Sequence, residues 1–352
     1  MKKLLLAISM LTLVGMANAQ SNVAVYGLLD AGVYSLSKAN GTKDAQGLAD
    51  STVASSFWGF KGSENLGQGQ KAIFQVEGDV ATNNGGTNTN GVFRRQAFVG
   101  LQGGYGEVTL GLRLNPATNA HNALLPVMGN SVNLGVLQAQ GYFDTFTRNA
   151  ITYTAPTANN LLVQVQYGMS NSVDKEDDGS TYSGRVEYKL SNLTVNLGYQ
   201  NRKGNGTASS AMYGNSFKDK ETSIIGAKYK LGNIEVGTGF VTNRIANGTK
   251  VGNVDVTLLG VGYTVSPAVT LGANYVKNND NASLTNVQAR YAFSKRTMGY
   301  VQYGLADNGN TSNPFRPVFM NTNSSPADNI AGYTSAANSK QSALGVGLVH
   351  TF

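Results

Sequence analysis

From Leu161 onward the chain repeats a two-residue rhythm. Leu161, Val163, Val165, Tyr167 and Met169 alternate with Leu162, Gln164, Gln166, Gly168 and Ser170. Tyr182, Val186, Tyr188 and Leu190 alternate with Arg185, Glu187 and Lys189. Leu193, Val195, Leu197 and Tyr199 alternate with Thr194, Asn196 and Arg202, and Ile225, Ala227, Tyr229 and Leu231 with Thr222, Lys228 and Lys230. Successive side chains of an extended chain point to opposite faces, so each segment predicts a strand with one apolar and one polar face. A water-filled barrel in lipid needs that pattern with the apolar face outward. A soluble two-sheet sandwich shows it too, with the apolar face inward.

The connections separate these two architectures. Ser191-Asn192, Gly232-Asn233, Ser266-Pro267 and Ser294-Lys295-Arg296 are tight links. Long polar links lie between them: Met169 to Thr181, Arg202 to Lys220, Arg244 to Asn253 and Leu305 to Ser339. Short turns at one end and long loops at the other are the layout of an outer-membrane barrel. Strands are predicted over 23–36, 52–63, 70–81, 92–102, 105–114, 148–155, 160–170, 181–190, 193–203, 220–231, 233–244, 254–265, 268–278, 284–293, 297–306 and 340–352. Most reach the roughly 9–11 residues that a tilted strand needs to cross a bilayer. The fold class expected is all-β, a sixteen-stranded antiparallel transmembrane β-barrel with both ends on the short-turn side. Leu344, Val346, Leu348, His350 and Phe352 share one face, which sets the terminal Phe352 in the outer aromatic girdle.

The N-terminus adds an address. Met1-Lys2-Lys3, a short apolar run through Val14 and Ala17-Asn18-Ala19 form the basic start, apolar core and small-residue cleavage site of a secretory signal peptide. Residues 1–19 are therefore expected to be removed, leaving 20–352 as the barrel, in the outer membrane. Beyond Ala19 no stretch has the roughly 20 apolar residues of a spanning helix.

Composition agrees with strands between lipid and water. Charged residues make up 13% of the chain, Gly numbers 43, Pro only 7, and Tyr 17 against Phe 13. Typical soluble domains are about 25% charged. There is no Cys, which excludes thiol chemistry and thiolate metal sites. Losing two Lys with the signal peptide takes the formal charge from +7 to +5. That charge comes without a basic cluster on a recognition helix, so no nucleic-acid partner is expected. Nor is catalysis or a cofactor expected. A Ser–His dyad needs a well-placed His, and the two present are His121 in the third loop and His350 on the lipid face.

Four motifs in order carry a family resemblance. They are Val25-Tyr26-Gly27-Leu28-Leu29-Asp30-Ala31-Gly32, Phe60-Lys61-Gly62-Ser63-Glu64-Asn65-Leu66-Gly67, Arg95-Gln96-Ala97-Phe98-Val99-Gly100-Leu101 and Gly106-Glu107-Val108-Thr109-Leu110-Gly111. With them the chain resembles the general trimeric porins of β-proteobacteria, the neisserial and burkholderial type. The resemblance implies a homotrimer of sixteen-stranded barrels and a third long loop, here roughly Asn115–Thr147, folded into the lumen. It implies passage of small hydrophilic solutes and ions, surroundings of outer-membrane lipid and lipopolysaccharide, and a terminal Phe352 read by the barrel-insertion machinery. It also implies wall arginines facing the third loop, which matches Arg95 onto the pore. Two positions depart from the family pattern. Phe57 stands where a wall Arg is usual, and Glu64-Asn65 replaces an acidic pair.

Parity nominates the charges that line the lumen. Lys61, Arg113, Arg148, Arg185, Lys189, Lys228 and Arg290 are expected inward, with the acids Asp30, Glu77, Glu107 and Glu235. Arg94 and Arg95 are adjacent, so regular pleating turns only one of them in. Alternation with Ala97, Val99 and Leu101 favours Arg94, the family favours Arg95, and a bulge would admit both. Lys61, Arg94, Arg95, Arg113, Arg148, Asp30, Glu77 and the loop acid Asp144 are the candidates for setting ion preference, because fixed charge in a narrow pore selects ions. Basic groups outnumber acids in this set, which predicts weak anion preference. The third loop is unusually apolar at Leu124-Leu125-Pro126-Val127-Met128 and Gly135-Val136-Leu137. Those residues either pack the loop against the inner wall or line an apolar constriction. The acidic run Asp174–Asp178 lacks the spacing of a calcium loop and reads as a solvated surface segment or a cation bridge to lipopolysaccharide. A general diffusion channel is the leading reading. A substrate-selective channel of the same fold and a surface receptor or adhesin barrel are its rivals.

Overall fold

The computed structural model describes residues 22–87, 91–127, 145–170, 179–204, 219–247, 250–312, 314–318 and 334–352. Residues 1–21, which include the stretch expected to be a signal peptide, Met128, Gly135–Leu137, Asp144 and the acidic run 174–178 lie outside the described residues. The strands are β1 (Asn22–Ser37), β2 (Ala45–Asp50), β3 (Phe57–Gly67), β4 (Gln70–Asp79), β5 (Gln96–Gly103), β6 (Gly106–Leu114), β7 (Phe146–Thr154), β8 (Leu161–Gly168), β9 (Thr181–Leu190), β10 (Leu193–Arg202), β11 (Asp219–Leu231), β12 (Ile234–Asn247), β13 (Lys250–Thr264), β14 (Val269–Asn278), β15 (Ala282–Ala292), β16 (Thr297–Asn308) and β17 (Ser339–Thr351). One helix, α1 (Pro116–Asn122), follows β6.

Consecutive strands pair antiparallel, except that β2 and β3 both pair with β1 and not with each other, and β17 returns to β1 from Leu28↔Thr351 to Ser37↔Ser342. The ring is closed through the β17–β1 seam, as a barrel that crosses lipid with strands requires. Seventeen strand segments fill sixteen places in the wall, because β1 pairs with β2 over its second half and with β3 over its first. The expected strand 52–63 is thereby corrected. Its wall position is shared by β2 and β3, and residues 51–56 leave the sheet between them.

Two other expectations need correcting. The polar link 244–253 is mostly strand, since β12 and β13 stay paired out to Asn247↔Lys250. Polar composition there reads as loop in the sequence, while the backbone ladder continues. The strand expected at 92–102 starts only at Gln96. The tight turns do lie at one end. Ser191 (φ 51) and Gly232 (φ 59) take the positive φ that two-residue hairpins favour.

Parity sorts the faces as lipid and water require. Leu197, Ile225, Val236, Leu259, Val287, Val301, Leu344 and Val346 are exposed on the outside, while Asn196, Thr222, Asn243, Asn286 and Gln302 are buried on the inside. The inner face of β11–β16 departs from a polar lining. Ile224, Val241, Val256, Leu258, Val276, Leu284 and Ala306 form one buried apolar cluster there with Leu124, Leu125 and Phe315 from two loops. The adjacent pairs Ile224-Ile225 and Leu258-Leu259 break the alternation and carry this signal in the sequence.

Candidate functional site

The third loop leaves β6 through Asn115, whose side chain accepts from the Ala117 backbone N–H at 2.9 Å and caps α1, with Pro116 at the first helical position. Ser183 on β9 donates to the same Asn115 oxygen, and Asn115 Nδ2 donates to Thr147 at 2.9 Å. The helix packs along the inner face of β9 and β10. Leu124, Leu125 and Val127 then run across β11–β14. They fit because the wall opposite them is glycine. A Cβ added at Gly239 would stand 2.5 Å from Leu124, one at Gly260 3.2 Å from Leu125, and one at Gly272 2.5 Å from Val127. Asn274 Nδ2 donates to the Val127 carbonyl at 2.7 Å and closes the track. The apolar residues Leu124, Leu125 and Val127 of this loop are therefore spent on the wall, and all three are buried. His121 is buried in the same interface, and among the described residues neither ring nitrogen has a hydrogen-bond partner. Its burial lowers its pKa to about 4.

Beyond this track lies a compact charged cluster on β4 and the approach to β5. Arg94 Nε donates to Asp79 Oδ2, and Arg95 Nη1 lies 3.3 Å from Asp79 Oδ1. Arg95 Nε is 3.6 Å from Glu77 Oε2. Both arginines thus reach the same acid. They precede β5, where the chain is not pleated, so both turn toward β4. The Arg95 guanidinium lies 4.9 Å from the Phe57 ring centre and 5.5 Å from that of Phe146. Phe57, the departure from the family pattern, is one wall of an aromatic slot that holds the arginine plane. Glu77 also accepts from Tyr26 Oη at 2.6 Å and from Gln75 Nε2 at 2.7 Å.

The remaining candidates are dispersed. Arg113 pairs with Glu107 at 2.6 Å, donates to Thr109 and stacks 4.7 Å over Phe98. Lys61 is exposed, with its Nζ 4.4 Å from the Tyr26 ring centre, and among the described residues no carboxylate pairs with it. Arg185 pairs with Glu187 at 2.5 Å, and Lys228 lies 3.8 Å from Glu235. Arg148 is exposed beside Asn149 (φ 48), where the strand bulges and regular parity is lost. Asp30 does not stand on an open wall. It is fully buried and accepts from the Val53 and Ala54 N–H groups and from Tyr300 Oη. Asp79 escaped the sequence reading although it shares parity with Glu77. The glycine track escaped too, because an inward glycine has no side chain to reveal its face.

A closed barrel that crosses with strands, carries charges on its inner wall and has a loop seated inside is a membrane channel. The chain belongs to the Gram-negative porin family, whose profile matches residues 6–311. It is 30% identical over 243 residues to outer membrane porin protein 32 of Delftia acidovorans, covering 66% of this chain and 67% of that one. It is 27% identical over 350 residues to the major outer membrane protein P.IB of Neisseria meningitidis serogroup B, covering 90% and 96%. Among solved structures, the anion-selective porin from Comamonas acidovorans superposes with a TM-score of 0.76 at 22% identity, covering 95% of this chain and all of that one. OmpT of Vibrio cholerae, in trimer form, superposes with a TM-score of 0.66 at 16% identity. The protein is an outer-membrane diffusion channel.

Proposed function

We propose that this channel passes small hydrophilic solutes and ions with weak anion preference, set by Arg94, Arg95, Arg113 and Lys61 against Glu77, Asp79 and Glu107. The observation that carries this reading is the convergence of two arginines on Asp79 with Glu77 beside it. Two guanidinium groups facing two carboxylates leave that cluster near neutrality, and Glu107 offsets Arg113. Lys61 is the cation without such an offset among the described residues. The preference is therefore weak. A solved relative of the same fold is described as anion-selective, which supports the sign. Arg148, in β7, and Asp144, outside the described residues, are further contributors, and His121 acts on the loop alone.

The proposal extends to assembly and processing. Cleavage after Ala19 frees the barrel, Phe352 serves the insertion machinery, the barrel assembles as a homotrimer among lipid and lipopolysaccharide, and no catalysis accompanies transport. Single-channel recording in planar bilayers tests the transport reading. Ohmic steps with a reversal potential on the anion side are expected. Saturable block by one solute would favour a substrate-selective channel, and absence of conductance a receptor barrel.

A further inference from the structure

We propose that residues 51–56 are a rigid strap inside the barrel that narrows the lumen from the side opposite the third loop. The register demands an excursion. Ala31 pairs with Asp50 and Leu28 with Phe57, so three steps along β1 correspond to seven along its neighbour. Four residues more than a continuous strand needs have to leave the wall, beginning at Ser51 with φ 61.

They go inward. Thr52 Oγ1 is 2.7 Å from Tyr34 Oη and 2.8 Å from Tyr300 Oη, and both tyrosines belong to the inner face. Val53 is buried in one cluster with Tyr34, Leu36 and Tyr300. Two carboxylates hold the segment. Asp30 Oδ2 accepts from Val53 N at 2.7 Å and Ala54 N at 2.9 Å, while Oδ1 accepts from Tyr300 Oη at 2.8 Å. Asp50 accepts from Ser51 Oγ and Ser56 Oγ at 2.7 Å each and from Thr82 Oγ1 at 2.8 Å. Both acids are fully buried. A buried carboxylate is tolerated when donors satisfy it, and a fully satisfied polar network permits one geometry. A merely looped-out segment would have no need of two such anchors.

The position gives the strap its effect. β1 and β10 are eight places apart in a ring of sixteen, and α1 packs on β9 and β10. Strap and helix therefore face each other across the lumen. Ala54 and Ser55 keep partial exposure on the strap. The inference rests on the channel reading and adds a second element that limits pore size.

The register supplies the test. Deleting Ser51–Ala54 joins β2 to β3 as one continuous strand in the native parity. Asp50 would then share the outer face of Ala31, so the deletion is combined with Asp50→Ala. The expected result is a folded barrel whose single-channel conductance in molar KCl rises roughly 1.5-fold or more, since conductance follows the narrowest lining. Ala54→Cys in the full-length chain gives a second reading that does not depend on the folding of the deletion variant. The chain has no other Cys, so a bulky methanethiosulfonate reagent reacts at the strap alone, and a stepwise loss of conductance is expected. Native conductance in the folded deletion variant, or in the labelled Cys variant, would overturn the strap and leave the channel reading intact. A silent wild-type protein would overturn both.

Discussion

Phe352 and Gly27 exchange both of their backbone hydrogen bonds, Gly27 N to Phe352 O at 3.2 Å and Phe352 N to Gly27 O at 3.1 Å. The Phe352 ring lies over Gly27, where any Cβ would overlap it. The last residue of the chain thus completes the closing seam between β17 and β1. Deleting Phe352 removes two ladder bonds and the girdle ring together. The folded, heat-modifiable fraction is expected to fall far below that of a variant lacking one residue of a long loop. Gly27→Val is expected to lower it as well. Equal yields on unheated gels from Phe352 and loop deletions would contradict the role of this seam.

Arg95 and its acids give selectivity a sign that two opposite substitutions check. Glu77→Gln leaves Arg95 less compensated, and the reversal potential is expected to move toward the anion side. Arg95→Gln with Arg113→Gln leaves Glu77, Asp79 and Glu107 in excess and is expected to move it toward the cation side. Each shift is expected on the order of 10 mV, within the roughly 59 mV that a tenfold gradient sets for an ideally selective pore. Both should shrink in molar salt, where the Debye length falls to about 3 Å. Shifts of the same direction in both variants would show that these charges do not face the ion path.

Leu124 is the anchor of the third loop, fully buried between Gly226 and Gly239. Truncating a buried Leu to Ala costs about 2–5 kcal/mol. In Leu124→Ala that loss falls on loop docking while the barrel ladder stays paired. Open-channel noise and protease cleavage within the loop are expected to increase, with unchanged migration of the folded barrel.

His121 links docking to pH. Docked, its pKa is lowered to about 4 by burial, whereas an undocked loop would return it toward about 6.5. Above 6.5 both states are neutral and docking keeps its full stability. As pH falls from 6.5 to 4 the undocked state binds a proton that the docked state refuses, and docking weakens by roughly 3 kcal/mol in total. Below 4 the loss stops growing. Conductance noise should rise through that window in the wild type and stay flat in His121→Phe. A parallel rise in both would assign the effect to other groups.

The alternating pattern and the sorting of turns were sufficient for a closed barrel of sixteen wall places with Phe352 on its outer face. Side-chain parity is a local property of an extended chain, and it carries from one residue to the next without knowledge of the partner strand. The apolar stretch at Leu124–Val127 likewise pointed to packing against the wall, because a loop that buries nothing has little use for such residues.

Other features rested on contacts that parity does not reach. Arg94 and Arg95 both face acids because the chain is unpleated before Gln96 and because β4 brings Asp79 to them. The excursion at 51–56 reads as ordinary strand, since its small polar and β-branched residues suit one. Its anchors are far away in sequence, with Asp30 23 positions from Val53 and 270 from Tyr300. The seat of the third loop is made of glycines on four strands, which have no side chains to betray a face. The sequence by itself determined the wall, because pleat and turn are settled over a few residues. What stands inside the wall was decided by the tertiary structure, because only ring closure brings strands from opposite ends of the chain within hydrogen-bonding distance.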